Sequence, residues 1–310
     1  NEANMIERTN RLRGLVLMTM AGLCWSSSGI LVRSVTITNA WEIVFWRALF
    51  MALFIGIFLT ARYGSRTVSY IAAVGFPGVC AGGLLAASFF LFILSVMRTT
   101  IANSLFLMST TPFVAALFGW LFLNEHVPRR TVIAMTVSLV GIALMFADAL
   151  GSSGALIGNL LACCVPVTFA ANVILIRKMG AFVAMVPTVL LGGLIAVLIA
   201  LPVGWPLTAS WHDVGVLAVM GVVQLGLGCL LMTLAAPHIS AAEIGLLSLL
   251  ETILGPVWVW LGIGERPSDS ALLGGIVVLS SLIVNQLAGL RNALLVSSPA
   301  SRRRSSTLVS

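Results

Sequence analysis

The sequence predicts an all-α membrane protein whose ten transmembrane helices form two inverted five-helix repeats. Three observations lead to this fold class: the composition, the recurrence of long apolar segments, and a similarity between the two halves of the chain. Of the 310 residues, 59% are hydrophobic and 9% are charged, and the mean hydropathy is +1.09. A water-soluble domain carries about 25% charged residues. Most of these side chains must therefore face lipid or other membrane helices.

Ten segments of the sequence are apolar enough to cross a bilayer, which takes about 20 residues of helix. The predicted spans are 13–33, 40–61, 70–96, 101–123, 131–149, 155–176, 181–203, 213–235, 241–262 and 270–290. The alternating polarity of a transmembrane barrel is not seen, so each span is predicted to be a helix. The first span follows several arginines, as in a signal peptide, but it lacks a convincing small-residue cleavage site. We expect it to be retained.

The basic residues predict the orientation of the chain in the membrane. When successive loops are assigned to alternate sides, thirteen Lys and Arg residues fall on one side and three on the other. Cytoplasmic loops are enriched in Lys and Arg. We therefore expect the cytoplasmic (inner) membrane, with the segment 1–12 and the basic, disordered tail 291–310 both in the cytoplasm. The net charge of +7 then reflects topology and possible contact with membrane lipid, and nucleic acid is not an expected partner.

The two halves of the chain resemble each other. A shift of 144 residues places Arg33 on Arg177, and a shift of 140 residues places Glu125 on Glu265. Each half contains five predicted spans, and an odd number reverses the direction of the second copy relative to the membrane. The repeat is therefore inverted, an architecture in which secondary transporters place a site near the midplane between the halves.

Several short motifs carry a resemblance to a known family. They are Gly22–Ser26 in the first span, Arg47–Phe50 in the second, Thr111–Pro112 and Gly119–Glu125 in the fourth, and Leu250–Thr252 and Gly264–Glu265 in the ninth. With this joint spacing the chain resembles the drug/metabolite transporter superfamily, with EamA-type repeats at 13–149 and 150–290. It departs from the family pattern at Asn124, usually Gly, and at Thr252, often Pro. The resemblance implies alternating-access transport of an amino acid, nucleoside or drug-like metabolite, and it favours export.

Two charged residues stand out because they lie away from the ends of predicted spans, and a charge near the bilayer centre costs at least about 2.5–3.5 kcal/mol on insertion scales. Glu251 lies in the middle of the ninth span and is the first candidate for a substrate or proton site, because a buried carboxyl group takes up a proton readily. The alternative is a packing contact, such as an ion pair with Arg47. Arg47 itself is interpreted as structural or gating, since the resemblance implies an arginine here whatever the substrate. A substrate carboxylate is its alternative partner.

The repeat and helical spacing add further candidates for a central cavity. Aromatic and polar residues three positions apart occur in both the first and the sixth span, and Thr111 corresponds to Glu251. Helical spacing places a serine and a tryptophan of the ninth span on the face of Glu251. The set is Trp25, Ser28, Thr111, Phe169, Asn172, Gln224, Ser248 and Trp258. Ordinary packing between membrane helices is the alternative for each.

Two acidic residues precede predicted helix starts. Glu125 and Glu265 lie just before Pro128 and Pro267, and acidic side chains stabilise helix N-termini. We expect both to cap the helix that follows.

The sequence does not predict an enzyme. It has no nucleophile elbow, zinc-protease motif or phosphate-binding glycine loop, and its three histidines and five cysteines lack the spacing of metal ligands. We therefore expect no catalytic residue, metal or cofactor. A non-transporting membrane sensor or assembly factor, an intramembrane enzyme and a homodimer are alternatives that the sequence leaves open.

Overall fold

The computed structural model describes residues 2–99, 101–145, 156–180, 185–264 and 269–296, which form helices and turns without any strand. The helices are α1 (Glu2–Ser26), α2 (Ser28–Arg33), α3 (Ala40–Tyr63), α4 (Thr67–Ala73), α5 (Gly75–Val96), α6 (Ile101–Met108), α7 (Thr111–Leu123), α8 (Arg129–Met145), α9 (Leu156–Gly180), α10 (Pro187–Gly204), α11 (Trp211–Val219), α12 (Gly228–Ala235), α13 (Ala241–Ser248), α14 (Leu250–Ile263) and α15 (Asp269–Val296). A 3₁₀ turn, Gly64–Arg66, precedes α4, and a π-helical segment, Met220–Leu227, joins α11 to α12.

Eight helical segments of the described chain are long and apolar enough to cross a membrane. They are Thr9–Val32, Ala40–Ala73, Gly75–Val96, Ser104–Leu123, Leu156–Met179, Pro187–Gly204, Trp211–Ala235 and Ala241–Gly262. Helices also form at the two other predicted positions: α8 has 17 residues, and α15 contains the shorter apolar stretch Leu272–Asn285. The prediction of an all-helical, multi-pass membrane protein is confirmed.

Five of these segments change their helical geometry along their length, which the sequence did not predict, and Ala40–Ala73 does so at the 3₁₀ turn Gly64–Arg66. In the numbering of the ten predicted spans, the first span breaks at Ser27, the fourth at Ser109 and Thr110, and the ninth at Leu249. In the fourth, Pro112 stands in the first turn of α7, where its missing N–H costs no helical hydrogen bond. The eighth span contains the π-helical segment, a geometry frequent at functional sites.

The helices pack into one bundle in which the first half of the chain, up to residue 145, contacts the second half, from residue 156. α3 packs along α10, α5 along α9 and α10, α1 along α12, and α8 along α15. A Cβ atom added to Gly82 of α5 would lie 2.9 Å from the backbone nitrogen of Gly192 in α10. Glycine therefore allows the two backbones to meet, as small residues do between membrane helices.

Apolar side chains also cover much of the outer surface. Ile57 on α3, Phe76 on α5 and Leu198 on α10 are exposed, with 69%, 79% and 72% of their surface accessible. Such a surface is unfavourable in water and suits contact with lipid chains. The high apolar content of the sequence therefore supplies both the core of the bundle and its lipid-facing surface.

Candidate functional site

A central cavity of about 110 Å³ lies where the two halves of the bundle meet. Seven of the predicted site residues line it: Trp25, Arg47, Thr111, Phe169, Gln224, Ser248 and Glu251. They come from α1, α3, α7, α9, the π-helical segment, α13 and α14, so both halves contribute. Several lining residues lie at or beside a change of helical geometry: Thr111, Gln224, Ser248 and Glu251.

Arg47 is the cation of the cavity. Its side chain is buried, and its Nη2 atom donates a hydrogen bond to Oε1 of Gln224 over 3.0 Å. The Nε atom of Arg47 is also buried and has no hydrogen-bond partner. Since a guanidinium group offers five N–H donors in a fixed fork, Arg47 retains donors for an anionic group within the cavity.

The π-helical segment fixes the position of the Arg47 backbone. A Cβ atom added to Gly221 would lie 2.6 Å from the carbonyl oxygen of Arg47 and 2.6 Å from Cβ of Phe50. The glycine lets this segment lie directly against α3, three positions before Gln224. The hydrogen bond between Arg47 and Gln224 follows from that contact.

Glu251 is the anion of the cavity and lies in the first turn of α14. Oγ of Ser28 donates a hydrogen bond to Oε1 of Glu251 over 3.2 Å. Ser28 begins α2 just after the break in the first span. Among the described residues, no ion pair joins Glu251 to Arg47. The cavity therefore holds an acidic and a basic side chain that do not neutralise each other by direct contact.

Aromatic and apolar side chains form the rest of the wall. The rings of Trp25 and Phe169 meet edge to face, with their centroids 5.9 Å apart. A Cβ atom added to Gly228 would lie 2.4 Å from Nε1 of Trp25, so this glycine makes room for the indole ring. The aromatic pair predicted from the repeat thus lies beside the charged groups.

Thr111 and Ser248 line the cavity with their hydroxyl groups bound to their own chain. Oγ1 of Thr111 donates to the carbonyl oxygen of Met108, and Oγ of Ser248 donates to that of Gly245 over 2.7 Å. A hydroxyl oxygen that donates one hydrogen bond still has lone pairs to accept others. Both residues can therefore accept a hydrogen bond from a ligand.

Three predicted residues lie outside the cavity lining. Ser28 does not line the cavity itself but donates a hydrogen bond to Glu251, which does. Asn172 is fully buried, and its Nδ2 atom donates to the carbonyl oxygen of Ala81 over 2.8 Å, which joins α9 to α5. Trp258 donates from Nε1 to Oγ of Ser26 over 2.7 Å and is 37% exposed. Ser248 and Glu251 both line the cavity across the break at Leu249, whereas Trp258, two helical turns further along α14 than Glu251, does not.

Several lining residues were not anticipated from the sequence. They are mainly apolar: Leu85, Ser88, Phe89, Phe92, Met108, Val165, Leu225, Cys229 and Met232. Four of them, at positions 85, 88, 89 and 92 of α5, follow the spacing of one helix face. This spacing was present in the sequence. However, α5 is apolar around almost its whole circumference, so hydrophobic periodicity did not distinguish the face that lines the cavity.

Two ion pairs join the halves at the end of the bundle where α1 begins. Nη2 of Arg11 lies 2.6 Å from Oε1 of Glu243, and Arg177 pairs with Glu125. Oε2 of Glu125 also accepts a hydrogen bond from the backbone nitrogen of Ala241 over 3.1 Å. Glu125 thus caps α13 of the other half and not the helix that follows it, which corrects the expectation from its position before Pro128. Glu265, which was expected to act alike, lies outside the described residues.

Carboxylates also join the halves at the opposite end of the bundle. Glu42 is fully buried and accepts hydrogen bonds from the backbone nitrogens of Thr208, over 2.6 Å, and Ala209, over 2.8 Å. Asp213 accepts hydrogen bonds from the backbone nitrogen of Thr36 over 2.9 Å and from its hydroxyl over 2.7 Å. Polar contacts therefore join the two halves at each end of the bundle.

This architecture, apolar helices around a cavity that holds an acidic and a basic side chain between two halves, is typical of a multi-pass membrane transporter. The sequence pattern of the EamA-like transporter family matches the chain twice, over residues 12–147 and 156–286. The chain belongs to the EamA-like transporter family. The resemblance drawn from the short motifs is thereby confirmed.

Relatives of the chain include proteins described as transporters. The pseudopaline exporter CntI of Pseudomonas aeruginosa (strain UCBPP-PA14) is 28% identical over 280 residues, which cover 87% of this chain and 94% of that protein. The uncharacterized transporter YdfC of Bacillus subtilis (strain 168) is 26% identical over 222 residues, 68% of this chain and 71% of that one. A protein crystal structure with 15% sequence identity superposes with a TM-score of 0.77 and covers 93% of this chain and 100% of the other. This last match supports the fold.

Proposed function

We propose that the chain is a secondary transporter that exports a small organic molecule bearing both a cationic and an anionic group across the cytoplasmic membrane. One observation carries the proposal: Arg47 and Glu251 line the same cavity, and among the described residues they form no ion pair with each other. A buried charge without compensation is costly. A ligand with complementary charges supplies that compensation when it binds.

The chemistry of the wall narrows the substrate class. The guanidinium group of Arg47 matches a carboxylate, with which it can form two parallel hydrogen bonds. Glu251 matches an ammonium group, and the faces of Trp25 and Phe169 attract a cation as well as apolar surface. An amino-acid-like molecule with an apolar side chain fits this combination better than a nucleoside or a purely apolar drug.

The size of the cavity supports a cycle with more than one conformation. Pockets for drug-sized ligands usually measure about 300–1,000 Å³, whereas this cavity measures about 110 Å³, and polar contacts join the two halves at both ends of the bundle. A metabolite must therefore enter after one end opens. In our proposal the ion pairs Arg11–Glu243 and Arg177–Glu125 separate to open one end, while Glu42 and Asp213 release their partners to open the other.

The proposed mechanism is alternating access by two inverted repeats of five spans each, 13–149 and 150–290. The two family matches support this division. So do the broken spans α6–α7 and α13–α14, which stand at corresponding places of the two halves and bring Thr111 and Glu251 to the cavity. Rocking two similar halves about a site between them exposes it to each side in turn.

The orientation and direction belong to the same proposal. The excess of Lys and Arg in alternate loops supports a cytoplasmic position for both termini and for the end of the bundle with Arg11 and Arg177. The relationship to the pseudopaline exporter of Pseudomonas aeruginosa supports export. Protonation of Glu251 in exchange for the cationic group would couple export to the proton gradient.

The experiment is untargeted metabolite profiling of the medium of cells that overproduce the chain, compared with cells that produce Glu251→Gln at equal membrane abundance. We expect a zwitterionic compound to accumulate outside the cells only with the native chain. Accumulation of the same compound with both forms would remove Glu251 from the proposal. No compound enriched by either form would favour a sensor or an assembly factor.

A further inference from the structure

A second cavity, of about 320 Å³, lies at the end of the bundle where α1 begins. It shares no residue with the central cavity, so any function it has is independent of the proposed transport site. Its wall consists of two arginines, one histidine, one tyrosine, one threonine and five apolar residues: Arg13, Arg62, His238, Tyr63, Thr233, Phe58, Met185, Val186, Leu234 and Pro237. Among the described residues, no acidic side chain lines it.

The positive charge of this cavity is not neutralised by the protein. Among the described residues, neither Arg13 nor Arg62 forms an ion pair or a side-chain hydrogen bond, although Arg11 is paired with Glu243 close by. The carboxylate of Glu243 is thus already engaged. Burial, and then the charge of Arg13, lower the pKa of His238, which indicates that the field of Arg13 reaches the imidazole.

Packing holds the two guanidinium groups and the imidazole in place. A Cβ atom added to Gly14 would lie 2.7 Å from Cβ of His238, so α1 lies directly against the turn after α12 and brings Arg13 beside the imidazole. On α3, the guanidinium carbon of Arg62 lies 5.9 Å from the centre of the Tyr63 ring. That ring is itself stacked on Tyr70, with the centroids 3.8 Å apart. The site is therefore built before a ligand arrives.

The other lining residues indicate what the ligand carries besides its charge. Phe58, Leu234 and Pro237 are apolar, and Leu234 and Pro237 are exposed at the end of a membrane span. Guanidinium groups bind phosphate oxygens in a bidentate manner, and basic pockets between transmembrane helices bind lipid phosphates. The combination matches a phosphate group attached to an apolar body.

We propose that this cavity binds a phosphate group between Arg13, Arg62 and His238, supplied by an anionic phospholipid whose acyl part contacts Phe58 and Leu234. Arg13 and Arg62 belong to the first half of the chain, and His238 belongs to the second. The bound phosphate therefore links the halves at the same end as the Arg11–Glu243 pair. Anionic lipid stabilises this closed arrangement of the end.

The test uses the purified full chain and native mass spectrometry, with phosphatidylglycerol, phosphatidylcholine and inorganic phosphate as separate probes. The native chain is expected to retain phosphatidylglycerol over phosphatidylcholine, and the double variant Arg13→Gln/Arg62→Gln should lower that retention about tenfold, as for the loss of charge-assisted contacts. Arg66→Gln is the matched control, because Arg66 is exposed on the turn just after α3 and does not line the cavity. It should change retention less than about twofold.

Each outcome bears on the proposal. Millimolar inorganic phosphate that displaces the lipid from the native chain, but binds the double variant no better than background, would support the phosphate site. Equal retention of both lipids by the native chain would overturn the proposal. So would equal losses in the double variant and Arg66→Gln. If the double variant does not fold, Arg62→Gln alone serves for the same comparison. None of these results affects the transport proposal, since the two cavities are separate.

Discussion

Arg47 donates a hydrogen bond over 3.0 Å to Gln224, a residue 177 positions away in the π-helical segment of the other half. Both side chains are buried. The contact holds a cation at the cavity wall while Nε of Arg47 stays without a partner. The same hydrogen bond therefore joins the two halves and positions the guanidinium group of Arg47 to bind a ligand.

Removing the partner of Arg47 should destabilise the protein. Gln224→Leu leaves the buried guanidinium without its hydrogen bond, and the expected loss is about 1–3 kcal/mol. Replacing both residues, as Arg47→Met/Gln224→Leu, should restore part of that stability because no buried charge remains unpaired. Thermal unfolding of the purified variants in detergent measures both effects. A double variant less stable than Gln224→Leu would contradict this account of the pair.

The two charges of the cavity should each recognise one end of the substrate. Once the substrate is identified, its methyl ester and its N-acetyl derivative should compete for transport at least about tenfold more weakly than the parent compound. Arg47→Gln should abolish the discrimination against the ester, and Glu251→Gln should abolish that against the N-acetyl derivative. Competition assays in vesicles give the comparison. Discrimination that persists in both variants would place the substrate charges elsewhere.

The glycine beneath Trp25 should be essential to the cavity. In Gly228→Ala the new Cβ atom would lie 2.4 Å from Nε1 of Trp25, so the indole must move and transport should fall severalfold. Gly215→Ala is the matched control on α11, where an added Cβ atom meets nothing within 4 Å. Because alanine favours a helix over glycine by up to about 1 kcal/mol, the control should be as stable as the native chain or more so. Equal transport by the two variants would exclude a positioning role for Gly228.

The ion pair at the α1 end should control access to the cavity. Cys229 lines the cavity and is buried, so it serves as a native reporter once the other four cysteines are replaced by alanine. Glu125→Gln breaks the pair with Arg177 and should increase the rate at which a polar thiol reagent modifies Cys229. The exposed Arg66→Gln should not change that rate. Unchanged labelling in Glu125→Gln would show that this pair does not hold the end closed.

The sequence predicted the helical membrane fold and the charged part of the site because both depend on rare signals. Ionisable groups inside apolar spans, such as Arg47 and Glu251, are costly and therefore conspicuous. The lining residues of α5 were not predicted, because a helix that is apolar around almost its whole circumference shows no hydrophobic periodicity that would identify one face. Glu125 was misassigned since its partners, Arg177 and Ala241, are 52 and 116 positions away. Trp258 was expected in the cavity from its spacing to Glu251 on the same helix, but such spacing predicts a shared face and not how far along α14 the cavity extends.

Counterflow in proteoliposomes tests the central claim most directly. Vesicles containing the purified chain and loaded with the exported compound should take up the labelled compound from the medium against its gradient. Vesicles with Glu251→Gln or Arg47→Gln at the same protein density should show little uptake. Uptake by both variants at the native rate would contradict the assignment of the cavity charges. Absence of counterflow in the native vesicles would contradict transport by alternating access itself.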